Sequence, residues 1–74
     1  MIISDLPKLF DELCVKLGIC LDPESRARLS ITEFQDIDSF EVAVLRAEGL
    51  DPLHTDRKLR HALREYISRY SSES

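Results

Sequence analysis

Four oxygen-bearing side chains, Asp36, Asp38, Ser39 and Glu41, fall within six positions of the stretch FQDIDSFEVA. Such a cluster could in principle hold a hard cation, because calcium and magnesium are bound through oxygen. An EF-hand loop needs oxygen ligands at loop positions 1, 3 and 5, glycine at 6 and glutamate at 12. Counted from Asp36, position 5 is Phe40, position 6 is Glu41 and position 12 is Ala47. The aromatic residue and the missing glycine defeat the loop. The other metal-ligating residues do no better. Cys14 and Cys20 form a C-x5-C pair and His54 and His61 lie seven apart, which is neither a zinc-finger nor a zinc-ribbon spacing. No metal is expected.

Nucleophilic chemistry is weighed next. A Cys-His pair is assembled in space, so spacing alone does not decide it. Cys14 lies beside the apolar face of the first helical segment and Cys20 sits in the apolar triplet Ile19-Cys20-Leu21. Buried, inert cysteines are the default there. A bridge between them would close a very short loop and stabilise little. The expectation is two free thiols in a reducing cytosol. Gly18 and Gly49 are the chain's two glycines, which excludes a glycine-rich phosphate loop. A small core also leaves little room for a ligand pocket of ~300 Å³. The chain is therefore read as a non-enzyme without a cofactor.

Asp38-Ser39-Phe40 resembles the Asp-Ser-Leu attachment motif of acyl carrier proteins. In that family the serine opens a helix and carries phosphopantetheine. The chain length, the acidic charge, the opening helix and the terminal segment LRHALREYISRY are similar to such carriers. The resemblance implies a prosthetic group on Ser39. The family's glycine two residues before the motif Asp is Asp36 here, its aliphatic residue after the serine is Phe40, and the last helix is basic. A simpler reading has the acids solvating one face of a helix whose other face packs through Ile37 and Phe40.

The elements that would position these residues are helical. Leu6, Leu9, Phe10, Leu13 and Leu17 recur at helical spacing, with Ser4 as the cap, Pro7 in the first turn and Gly18 as the stop. The segment ICLDPESRARLS admits two readings. Asp22-Pro23-Glu24 favours a short helix of about two turns. A hairpin with Asp22-Pro23 in its turn competes. Ser30-Ile31-Thr32-Glu33 has the form of a capping box, with Leu29 and Phe34 as a hydrophobic staple. It predicts a third helix from Ile31 to Glu48, about 27 Å long at 1.5 Å per residue and open to a break at Asp36. Thr55 would cap a last helix to about Tyr70, with Leu59, Leu63, Tyr66, Ile67 and Tyr70 on its apolar face. The expectation is an all-α bundle of three main helices and one short, undecided element within residues 19–31. It forms a single domain over residues 1–74, frayed at 71–74.

Charge divides the chain. Residues 1–56 carry five Lys/Arg against twelve Asp/Glu, and residues 57–74 carry five against two. The segment from Val44 to Tyr66 has the outline of a helix-turn-helix, and Arg57, Lys58, Arg60 and Arg64 could meet phosphates or base edges. The net charge of −4 opposes coating nucleic acid, and those cations could equally face the protein's own acids. The preferred reading is a small regulatory or protein-interaction module, acting on a partner or on a second copy of itself. Tyr66, Ile67 and Tyr70 are its candidate contact residues, with Ile2, Ile3 and Val15 as further apolar side chains that a small core could leave outside. DNA binding ranks second and a carrier role third. No membrane contact is expected, since no segment approaches the ~20 apolar residues of a span. Met1-Ile2-Ile3 runs into Ser4-Asp5 without the pattern of a secretory leader, so the expected location is the cytoplasm.

Overall fold

A computed structural model describes residues 2–71. Four helices follow in order: α1 (Leu6–Leu17), α2 (Pro23–Ile31), α3 (Ile37–Ala47) and α4 (Arg57–Tyr70). The first three open in the same way. An aspartate carboxylate just before each helix accepts the backbone N–H three residues on: Asp5 from Lys8 at 3.3 Å, Asp22 from Ser25 at 2.9 Å and Asp36 from Ser39 at 2.9 Å. Each bond satisfies a donor that has no partner inside its helix. Asp5, rather than Ser4, is thus the cap of α1. The Asp22-Pro23 start settles the undecided element as a helix, and the hairpin is excluded.

The expected long third helix is shorter: residues 32–36 are not helical, and α3 begins only at Ile37. Ser30-Ile31-Thr32 closes α2 instead of opening a new one. The Ser30 hydroxyl donates to the Arg26 carbonyl at 2.7 Å and the Thr32 hydroxyl to the Arg28 carbonyl at 2.8 Å. Hydroxyls can bond back to carbonyls as readily as they can cap amides, so one pattern serves either helix end. Asp36 then opens α3, which ends at Ala47, shortly before Gly49. Asp56 holds the cap position of α4 without a side-chain bond, while the Thr55 hydroxyl donates to the Asp51 carbonyl at 2.7 Å.

The thiols are not free: Cys14 and Cys20 form a disulfide. Gly18 ends α1 in the left-handed region at φ 73°, where a Cβ would be strained. The N–H groups of Gly18 and Ile19 donate back to the Cys14 and Leu13 carbonyls, each at 3.1 Å. This reversal brings the Cys20 Cα to 4.2 Å from that of Cys14. Ile19 and Leu21 enter the core on either side, while Cys20 itself is exposed.

The core joins Leu9, Phe10 and Leu13 of α1 to Phe40, Val44 and Leu45 of α3 and to Leu63 and Ile67 of α4, with Leu29 from α2 at its border. Phe40 sits centrally, with Phe10 stacked at 6.4 Å and Phe34 edge-on at 5.0 Å between ring centroids. The first and last described segments meet. Ser4 N–H donates to the Tyr70 carbonyl at 2.7 Å, and Ile3 pairs with Ser71 in an antiparallel bridge. The rest of the expected frayed tail, Ser72 to Ser74, lies outside the described residues. Among the described residues, no helix is long and apolar enough to cross a membrane.

Candidate functional site

The acidic stretch that could have done chemistry is tied to the basic helix that could have met nucleic acid. Glu41 does not solvate the face of α3. It is fully buried, and its carboxylate accepts Arg60 Nε at 2.5 Å and Arg64 Nη1 at 3.0 Å. Arg64 also donates to Asp38, and Arg60 to the Pro52 carbonyl at 3.1 Å. The Glu41 hydrogen bond is the main cause that holds the Arg60 guanidinium above its ordinary value, and the Asp38 bond does the same for Arg64. Burial of a carboxylate is tolerated because both oxygens are paired with cations. Two of the four cations offered for a nucleic-acid surface are therefore engaged by carboxylates of α3. Arg57 and Lys58 are exposed and form no ion pair among the described residues.

Ser39 is exposed in the first turn of α3, three residues after the Asp36 cap. Its N–H and then its hydroxyl are the leading causes that keep the Asp36 carboxyl below the ordinary value of 3.8. Asp22 is lowered likewise by the Ser25 hydroxyl and N–H, and Asp51 by His54 and the Leu53 N–H. Each carboxyl binds its proton more weakly folded than unfolded. Its contribution is complete above pH 3.8 and is lost as pH falls through the folded values. Asp36→Asn retains a capping oxygen but not the titration. It is expected to melt near wild type at neutral pH and to show a shallower loss of stability in acid, whereas Asp36→Ala melts lower at neutral pH. Equal melting losses for the two variants at neutral pH would show that the cap hydrogen bond is not what Asp36 supplies.

The proposed contact residues on α4 turn inward. Ile67 is fully buried, and Tyr66 and Tyr70 are half-buried against the core. The Arg69 guanidinium lies 4.8 Å from the centroid of the Tyr66 ring. Desolvation, and then a hydrogen bond with Glu12, hold the Tyr70 phenol above its ordinary value.

The surface offers two kinds of hollow. One lies between the start of α3 and the outer face of α4, lined by Ile37, His61, Arg64, Glu65, Ser68 and Arg69. Its charges are already engaged: Arg64 with Asp38 and Glu41, His61 with Glu65 at 3.3 Å, and Arg69 with Tyr66. The second kind is a run of shallow depressions that share Phe34. One, of about 290 Å³, lies between α2 and α3, where Leu29, Phe34, Ala43 and Ala47 are flanked by Arg28 and Arg46. Another, of about 210 Å³, continues from Phe34 to Ile2, Ile3, Leu6 and Phe40. Ile2, in the wall of the smaller one, is 70% exposed, and Ile31 at the end of α2, which lines neither, is 85% exposed.

Sequence reasoning missed this face because it took Leu29 and Phe34 for a staple within one helix. It also missed Glu41, although Ile37, Phe40, Glu41, Val44 and Leu45 follow helical spacing and place the carboxylate inside the apolar stripe. The chain matches no protein-family model, no curated protein and no solved structure.

Proposed function

We propose that the chain is a small helical protein-interaction module that meets its partner on the face where α2 adjoins α3. The observation that carries this is the run of apolar depressions meeting at Phe34, with the exposed Ile2 in the wall of one of them. Contiguous apolar hollows on a small domain mark contact surfaces, while apolar side chains scattered singly need no explanation. The reading moves the contact away from Tyr66, Ile67 and Tyr70, whose apolar area is used within the fold. It ranks nucleic acid lower, because Arg60 and Arg64 answer Asp38 and Glu41. The disulfide supports a location more oxidising than the cytoplasm first expected.

The test is recovery of the tagged protein from its own cells, with and without nuclease, beside an Ala47→Glu variant. Ala47 is exposed and lines the α2–α3 depression, so a charge there leaves the core intact. A stoichiometric protein that survives nuclease and is lost with Ala47→Glu is the expected result. Recovery of nucleic acid instead, or of a protein indifferent to the variant, would overturn the reading.

A further inference from the structure

Four of the chain's seven arginines are engaged by neighbours among the described residues. Arg26 bonds Asp11 at 3.1 Å, Arg60 and Arg64 bond Glu41, and Arg69 covers Tyr66. Arg28 and Arg46 differ. Neither forms a hydrogen bond or ion pair through its guanidinium among the described residues, although the chain carries fourteen acidic side chains against ten basic ones. Asp22 and Asp51 act on them only through the longer-range field. Both arginines lie in the last turn of a helix, α2 and α3, where a cation is favoured by the helix dipole. That accounts for one cation per helix end. It does not account for their standing on opposite walls of the same apolar depression, with Leu29, Phe34, Ala43 and Ala47 between them. Arg57 and Lys58 also form no ion pair among the described residues, but they line neither depression at Phe34.

We propose that the α2–α3 depression takes a segment of a partner protein that inserts one large apolar side chain and carries carboxylates on either side of it. The inference rests on the interaction reading above and specifies the partner's chemistry. At about 290 Å³ the hollow lies at the small end of the ~300–1,000 Å³ typical of ligand pockets, and it is shallow. A side chain borne on a partner fits such a shape. The apolar lining supplies affinity, and the two arginines select acidic flanks and reject basic ones through like-charge repulsion. Guanidinium groups suit the task because they bind carboxylates in a two-pronged geometry.

The experiment is selection of a random peptide library on the folded, oxidised protein. The enriched peptides are then titrated into isotope-labelled protein and followed by amide shifts. Expected are sequences with an apolar anchor between acidic residues, and shifts confined to Leu29, Phe34, Ala43 and Ala47 with their neighbours. Arg28→Glu/Arg46→Glu should weaken binding by about tenfold to a hundredfold with an unchanged circular dichroism spectrum. Peptides with basic flanks, or acidic ones indifferent to the double variant, would refute the charge assignment. Binders that map to another face would overturn this site and leave the interaction reading standing. Concentration-dependent shifts of the same residues without peptide would make a second copy the occupant and overturn the acidic segment. A library that yields no binder to a monomeric protein would overturn both.

Discussion

Glu41→Ala should destabilise the domain by about 2–4 kcal/mol, most of what a core of this size supplies. The substitution removes two hydrogen bonds to cations and leaves a small cavity at a fully buried position. Breaking a buried pair usually costs about 3–5 kcal/mol, because the abandoned charge stays in the interior. Here the abandoned groups are Arg60 and Arg64, whose side chains are 31% and 45% exposed, so they regain water and the cost is moderated. Glu41→Gln keeps the shape and one acceptor, and should fall between wild type and the alanine variant. The reverse experiment strands the carboxylate instead. Arg60→Ala and Arg64→Ala together should cost more than the sum of the two single changes, since either arginine alone can still answer Glu41. Urea midpoints followed by far-ultraviolet circular dichroism measure the series. A Glu41→Ala midpoint equal to wild type would mean that the pair contributes nothing. Because Glu41 is buried, the loss should persist in molar salt, which would erase a purely surface ion pair.

Reduction of Cys14–Cys20 is the second large effect. A cross-link at a sequence separation of six closes a short loop, worth about 2 kcal/mol in the chain-entropy account. That is small beside a long-range bridge but large beside the marginal core of a 74-residue chain. The expected fall in melting temperature is about 8–16 °C. Reduced wild type and Cys14→Ser/Cys20→Ser should melt together. The loss should be felt first around Ile19 and Leu21, the two core residues that the bridge draws under α1. Amide exchange there should quicken before that of Leu63 and Ile67. An oxidised protein that melts within a degree or two of the reduced one would show that the Gly18 turn holds the segment without help.

Several features could be read directly from residue order. Leu6 to Leu17 and Leu59 to Tyr70 announce α1 and α4 because a 3.6-residue period survives any tertiary context. Asp22-Pro23 marks the start of α2, since aspartate caps and proline tolerates the first turn. Gly18 marks the end of α1, because few other residues accept positive φ there. What misled were signals with two physical meanings. Ser30 and Thr32 carry hydroxyls that cap an amide in one context and close on a carbonyl in another. Val15 and Ile2 stand exposed, as the sequence allowed for apolar residues beyond a small core, and Ile31 is exposed as well.

By itself the sequence determined the helical character of three main segments, the C-terminal ends of α1, α3 and α4 to within a residue or two, and the absence of the familiar metal and phosphate motifs, because these depend on neighbours a few residues apart. Tertiary structure decided the rest. It paired Cys14 with Cys20, once the reversal at Gly18 set their distance. It turned Arg60 and Arg64 from a nucleic-acid surface into partners of Glu41, nineteen and twenty-three residues away. It left Arg28 and Arg46 facing one apolar hollow from two helices. Charge acts through space, so which cation meets which carboxylate is fixed only when the helices pack.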